Sequence, residues 1–123
     1  MNRVILIAIV LLFSAAGPLA AGEADVVGVK AKKTGDRVWS FDVTLRHADT
    51  GWDHYADKWD VTAPDGTILG TRVLHHPHVQ EQPFTRSLSG VTIPPGINRV
   101  TIRGHDSVHG YGGEEFSVEL TKD

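Results

Sequence analysis

The stretch Val38–His47, VWSFDVTLRH, decides the fold that the sequence predicts. Apolar side chains occupy every second position from Trp39 to Leu45, and the residues between them are polar. A period of two is that of an extended strand with one face in a core and the other toward solvent. His47 continues the inward parity of this strand, so we expect it to be an ordinary histidine at the edge of the core.

Segments of the same alternating kind, separated by turn residues, occupy the chain on both sides of this stretch. We predict strands at 26–32, 38–47, 58–63, 67–74, 84–93, 99–105 and 115–120. In the first strand Val27, Val29 and Ala31 are expected to share the inner face. Gly90 is expected to mark a bulge, because the apolar parity switches between Leu88 and Val91. Short strands at this spacing are typical of a β-sandwich. The predicted fold class is all-β: a single seven-stranded antiparallel β-sandwich.

The succession of strands, with Trp39 in the second, resembles a fibronectin type III or immunoglobulin-like domain. The stretches HHPHVQEQPFTRSLSGV (75–91) and HDSVHGYGG (105–113) resemble a small exported bacterial family. These resemblances imply an immunoglobulin-like sandwich in an exported protein. They imply no particular activity.

The first residues have the layout of a secretory signal peptide. Arg3 precedes an unbroken apolar run from Val4 to Phe13, and small, turn-prone residues follow. The run is too short to span a bilayer, which needs about 20 residues. We therefore expect residues 1–21 to be a cleaved signal peptide, with cleavage after Ala20, Ala21 or Gly22. The mature β-sandwich domain, 22–123, is expected in the periplasm or outside the cell, with no stable membrane insertion.

Composition narrows the chemistry that the domain can perform. The net charge of −3 argues against nucleic acid as a partner, since that would require a basic face. The chain has no cysteine, so we expect neither disulfides nor a lipoprotein signal. Its one methionine is the initiator. Any metal in the mature protein would therefore be held by imidazole and carboxylate groups.

The histidines are predicted to share one end of the sandwich. In an antiparallel fold successive loops alternate between the two ends. With strand 38–47 running upward, the loops at the top carry every histidine of the chain: His47, His54, His75, His76, His78, His105 and His109. The turns at the bottom carry none.

This clustering indicates a site for a divalent transition metal, copper or zinc, for which neutral imidazole is a common ligand. His76-Pro77-His78 is a His-x-His pair, and in extended backbone both rings can lie on one face. The predicted metal ligands are His54, His76, His78, His105 and His109. The protein would then be a carrier, sensor or tolerance factor for the metal.

An alternative interpretation makes the histidines structural and the protein an immunoglobulin-like binding module. Aromatic and acidic side chains that could bind a protein or a carbohydrate are expected at the same end. This alternative surface consists of Trp52, Tyr55, Tyr111 and Asp106.

Catalytic motifs are missing from the sequence. It contains no G-x-S-x-G nucleophile elbow, no HExxH and no phosphate-binding loop. We therefore predict a protein that is not an enzyme. A metal-dependent enzyme with an open coordination position is a further alternative.

Overall fold

A computed structural model describes residues 22–120 of the chain. The predicted signal peptide, residues 1–21, lies outside the described residues. None of residues 22–120 belongs to a helix long and apolar enough to cross a membrane.

The described residues form seven strands in two antiparallel sheets, which confirms the all-β prediction. The strands are β1 (Asp25–Gly35), β2 (Val38–Arg46), β3 (Ala56–Thr62), β4 (Ile68–Val73), β5 (Phe84–Thr92), β6 (Arg99–Asp106) and β7 (Phe116–Glu119). One sheet has three strands in the order β1-β2-β5, and the other has four in the order β4-β3-β6-β7. Because β4 pairs with β3 and not with β5, it extends the four-stranded sheet.

The apolar residues that alternate with polar ones in the sequence line the inner face of each sheet. In β2 the side chains of Phe41, Val43 and Leu45 are fully buried, and in β3 so are those of Trp59 and Val61. Side chains from both sheets form one hydrophobic core. Burial of this apolar surface is the main contribution to the stability of a domain without disulfides.

The predicted bulge at Gly90 is confirmed. Trp39 pairs with Val91, but the next inward residue, Phe41, pairs with Leu88, so β5 carries an extra residue. Gly90 has a φ of 71°, a left-handed conformation that glycine adopts at little cost.

A second irregularity lies in β1, where the sequence predicted that Val27, Val29 and Ala31 share the inner face. The register shifts between Val26 and Gly28. As a result Val26, not Val27, is buried, together with Ala24 before it. The chain therefore enters β1 with Ala24 in the core, next to Gly22 and Glu23.

The strand register brings together the strand ends next to which the histidines lie. Ala56 pairs with Asp106 in one sheet, and Leu45 pairs with Phe84 in the other. The loops that follow β2, β4 and β6 therefore meet at one end of the fold, as the sequence predicted.

Candidate metal centre

Asp106 is the centre of a cluster of titratable side chains at this end. It continues the inward parity of β6, after Val100, Ile102 and Gly104, and its side chain is fully buried. A tight turn follows, in which the backbones of Asp106 and Gly110 exchange two hydrogen bonds of 3.0 Å. The turn directs the backbone N–H groups of Val108 and His109 at Asp106 Oδ1, at 2.7 and 2.5 Å.

These contacts keep the carboxylate of Asp106 ionised. Burial alone raises the pKa of a carboxyl group, because it disfavours the charged form. Here the backbone N–H groups of His109 and Val108, with hydrogen bonds from the His109 and His54 side chains, outweigh burial. They lower the pKa of Asp106 to about 2. A buried negative charge therefore lies at the end of the core.

His47 approaches Asp106 from the other sheet. It follows β2 at the inward parity, and its side chain has no exposed surface. Its Nδ1 lies 2.5 Å from Asp49 Oδ1, and its Nε2 lies 3.1 Å from Asp106 Oδ2. The imidazole is thus held between two buried carboxylates.

Asp49 fixes the orientation of the His47 ring. Besides the contact with His47, Asp49 Oδ1 accepts a hydrogen bond of 3.2 Å from the backbone N–H of Ala56. Asp49 Oδ2 accepts one of 2.6 Å from the backbone N–H of His78. The carboxylate is therefore anchored to two other segments, and it leaves Nε2 of His47 directed at Asp106.

His54 and His109 complete the cluster from two loops. His54 Nε2 lies 3.4 Å and His109 Nδ1 lies 3.1 Å from Asp106 Oδ2. The two loops are joined through Ser107, which donates its backbone N–H to Tyr55 O and accepts the Tyr55 N–H at Oγ. The His54 side chain is 23% exposed and that of His109 is 40% exposed. The cluster is therefore open to solvent on this side.

The arrangement has more imidazole nitrogens than one carboxylate oxygen can satisfy. Three of them, from His47, His54 and His109, face Asp106 Oδ2. Because both carboxylates only accept hydrogen bonds, a neutral His47, which carries one ring proton, can donate to Asp49 or to Asp106 but not to both. The lone pair on its other nitrogen then faces a negative oxygen. A cation between them, a proton or a metal ion, removes this conflict.

The donor atoms are close enough to share one ion. Within residues 22–120, His47, His54 and Asp106 form a group whose donor atoms all lie within 4.8 Å of one another. A carboxylate that orients a histidine whose other nitrogen faces the ion is the usual arrangement around protein-bound metals, and Asp49 has that position.

Two of the five histidines predicted as ligands, His54 and His109, belong to this cluster. The predicted pair His76 and His78 lies in the β4–β5 connection and has other contacts. The ring of His78 is stacked on Phe84, with centroids 4.0 Å apart, and is only 6% exposed. Its nitrogens have no hydrogen-bond partner among the described residues.

The fifth predicted ligand, His105, lies on the outer face of β6. Its Nδ1 is 2.6 Å from Asp57 Oδ1, and its ring meets Tyr111 edge-on, with centroids 4.7 Å apart. The alternation of β6 explains this position, since a residue next to the inward Asp106 must point outward.

His47 is the member of the cluster that the ligand prediction left out. Its predicted burial is confirmed, but it is more than a core-edge histidine, because it contacts two carboxylates. Extending the parity of β2 and β6 by one inward position each would have placed both His47 and Asp106 on the inner faces at this end of the fold. That signal was present in the sequence.

The four residues of the alternative binding surface do not lie on one exposed patch. Trp52 is 66% exposed and contacts Tyr55 edge-on, with ring centroids 5.5 Å apart. Asp106 is fully buried, so it offers nothing to a partner at the surface. Tyr111 donates its hydroxyl to the buried Asp60 at 2.5 Å.

Comparison with known proteins finds similarity both in sequence and in structure. No protein family profile matches the chain. A protein of Halomicrobium mukohataei, provisionally named a lipoprotein, is 46% identical over 97 residues, which is 79% of this chain. The aligned part is 47% of that protein, so the chain spans about half the length of the relative that it matches.

Among solved structures, the fold is similar to that of a variant of superoxide reductase (neelaredoxin) from Archaeoglobus fulgidus in the reduced form. The TM-score is 0.55, and the alignment covers 90% of this chain and 98% of that one. At 9% sequence identity the likeness shows the fold alone. The prediction that the protein is not an enzyme is nevertheless corrected by this comparison, because the fold it shares is that of an enzyme.

Proposed function

We propose that this protein binds a divalent transition metal ion through His47, His54 and Asp106, with His109 as a further donor. The observation that carries the proposal is the position of Asp106 Oδ2, a buried anionic oxygen with three imidazole nitrogens at 3.1 to 3.4 Å. Bonds of about 2.0–2.2 Å to an ion would require the donors to move only slightly.

The donor set narrows the choice of metal. The chain offers no thiolate, and its one thioether is the initiator methionine, so ions that depend on soft ligands are disfavoured. Imidazole and carboxylate together suit zinc and copper, the metals predicted from the sequence. Two histidines and one carboxylate with open positions are also the ligand set of non-haem Fe(II) sites. Iron therefore joins copper and zinc as a candidate.

We also propose that the protein acts outside the cytoplasm. The signal-peptide layout of residues 1–21 supports export, and so does the provisional name of the Halomicrobium mukohataei relative. For the fold we propose a β-sandwich of the immunoglobulin-like class. This proposal is supported by two antiparallel sheets whose side chains share one core.

Titration of the mature protein with Zn²⁺, Cu²⁺ and, without oxygen, Fe²⁺ tests the metal site. We expect one tightly bound ion per chain in calorimetry. His54→Gln should lower the affinity by about tenfold or more, since removing even an outer partner of a metal ligand costs about 10–100-fold. The matched control is His75→Gln, an exposed histidine outside the cluster. Equal metal affinities of the wild type, His54→Gln and His75→Gln would overturn the proposal.

A second candidate function is a reaction with superoxide. It is supported by the fold shared with superoxide reductase and by the partial exposure of His54 and His109, which gives a small molecule access to the cluster. Such a reaction needs a metal with two accessible oxidation states, which zinc lacks. We expect iron- or copper-loaded protein to consume superoxide faster than zinc-loaded protein. Equal rates with all three metals would contradict this function.

A further inference from the structure

Gly22, the first residue of the predicted mature chain, lies against the proposed metal site. Its carbonyl oxygen is 3.2 Å from His54 Nε2, the nitrogen that also faces Asp106. A Cβ added to Gly22 would stand 2.9 Å from His109 Cε1 and 3.0 Å from His109 Nε2. The main chain of Gly22 therefore borders two of the four proposed donors.

The start of β1 holds Gly22 in this position. Ala24 is 1% exposed and packs so closely on Gly104 that a Cβ there would meet the Ala24 Cβ at 3.1 Å. The backbone N–H of Val26 donates to Glu114 O at 2.9 Å, and the N–H of Glu114 donates to Asp25 Oδ1 at 2.8 Å. Only one residue separates this anchored segment from Gly22.

Cleavage between Ala21 and Gly22 would change the chemistry of the Gly22 nitrogen. In the precursor it belongs to a peptide bond, and its lone pair is delocalised into the carbonyl group. In the mature chain it becomes an α-amino group, with an ordinary pKa of about 7.7–8.0. Its lone pair is then free to bind a metal ion after loss of a proton.

We infer that signal-peptide removal completes the metal site, because it supplies the α-amino group of Gly22 as a ligand beside His54 and His109. The inference rests on the metal binding proposed above. The amine and the carbonyl oxygen of one residue can close a five-membered ring around an ion, and the oxygen already faces His54 Nε2. The precursor lacks the amine, so it binds the ion less tightly than the mature protein.

Glycine is suited to this position because a side chain would compete with His109 for space. The distance of 2.9 Å between an added Cβ and His109 Cε1 is shorter than packing allows. Alanine at position 22 would therefore require a shift of the His109 imidazole or of the Gly22 main chain.

Two forms of the protein that differ by one residue test the inference. One begins at Gly22, and the other retains Ala21, so that the Gly22 nitrogen is an amide. Each is produced by protease removal of an N-terminal fusion. We expect the form that begins at Gly22 to bind Zn²⁺ and Cu²⁺ about tenfold or more tightly in calorimetry. Urea unfolding of both forms without metal serves as a control and should give equal stabilities.

Chemical labelling gives a second readout. An amine-acetylating reagent, followed by peptide mass spectrometry, should modify Gly22 more slowly in zinc-loaded than in zinc-free protein. The surface amine of Lys30 should be modified at equal rates in both. Intact mass measurement of the exported protein should show a chain that begins at Gly22. A different first residue would overturn the inference.

The outcomes distinguish this inference from the proposed function. If both forms bind zinc equally and His54→Gln weakens both, the metal site stands and the role of the amine is wrong. If neither form binds any of the three metals, the proposed function fails as well.

Discussion

Nε2 of His47 lies 3.1 Å from Oδ2 of Asp106, across the two sheets of the fold. His47 follows β2 of the three-stranded sheet, and Asp106 ends β6 of the four-stranded sheet. Each occupies the next inward position after a row of buried apolar residues. The core therefore ends in a polar contact that joins the sheets, at the place where we propose that a metal ion binds.

Asp49→Asn should weaken metal binding while the fold persists. The asparagine side chain has one oxygen in place of the two with which Asp49 contacts His47 Nδ1, the Ala56 N–H and the His78 N–H. We expect the affinity for Zn²⁺ to fall by about 10–100-fold in calorimetry, the usual effect of losing the partner that orients a ligand. Asp53→Asn, in the same loop but exposed, is the control. An unchanged affinity of Asp49→Asn would argue against the orienting role.

Asp106 should make the metal-free protein sensitive to acid. Its folded pKa of about 2 lies below the ordinary value of 3.8, so the charged form is favoured by folding. This contribution is fully present above about pH 4 and is lost as the pH falls toward 2. At about 1.4 kcal/mol per pKa unit it amounts to about 2–3 kcal/mol.

Urea unfolding at pH 5 and pH 2.5 measures the contribution of Asp106. Asp106→Asn should be less stable than the wild type at pH 5, and the difference should shrink at pH 2.5. An equal difference at both pH values would show that the charge of Asp106 does not stabilise the fold.

Tyr111→Phe should destabilise the four-stranded sheet. The Asp60 carboxylate is fully buried and accepts hydrogen bonds from the Tyr111 hydroxyl and from Thr71 Oγ1. Loss of one donor to a buried carboxylate should lower the free energy of unfolding by about 1–3 kcal/mol. Tyr55→Phe is the control, since its hydroxyl has no hydrogen-bond partner among the described residues. Equal stabilities of the two variants in urea would contradict the expectation.

The same contact should appear in an alkaline titration. Burial raises the pKa of Tyr111, and the hydrogen bond to Asp60 and the charge of that carboxylate raise it further. The hydrogen bond from Tyr111 to Asp60 contributes stability below pH 10, and this contribution is lost as the pH rises through the raised pKa of Tyr111. Ultraviolet titration should show a tyrosine ionising above pH 10 that Tyr111→Phe removes.

His78→Phe should stabilise the protein, most of all in acid. The imidazole is buried on Phe84, and its nitrogens have no partner among the described residues. Burial lowers the pKa of His78, and the positive charges of Arg86 and His76 lower it further. The stability that depends on a neutral His78 is therefore present above pH 6.5, and it is lost as the pH falls through the lowered pKa of His78.

We expect His78→Phe to raise the free energy of unfolding by about 1 kcal/mol at pH 8 and by more at pH 5. His76→Phe, at an exposed neighbour, should show no such gain. Metal affinity should be unchanged in both variants, because neither side chain contacts a proposed donor and the backbone N–H of residue 78 can still donate to Asp49. A loss of stability in His78→Phe would mean that the imidazole nitrogens have partners in solution.

Much of the fold could be predicted because alternation is a local property. The seven predicted strands match the observed ones to within a few residues, and the bulge at Gly90 follows from a change of parity. The prediction was wrong about Val27, since the register shift in β1 lies in a segment where both Val26 and Val27 are apolar. Alternation cannot reveal a shift of this kind.

The sequence alone determined the strands, the end of the fold that carries the histidines, and the restriction to imidazole and carboxylate ligands. The tertiary structure decided which histidines meet. His54 and His109 reach Asp106 because two loops join at Ser107, whereas His78 turns onto Phe84 and His105 turns outward to Asp57. The reason is one of range. Side-chain parity depends only on neighbouring residues. The donor atoms of His47, His54 and Asp106 come within 4.8 Å of one another only through contacts between sheets and loops that are far apart in sequence.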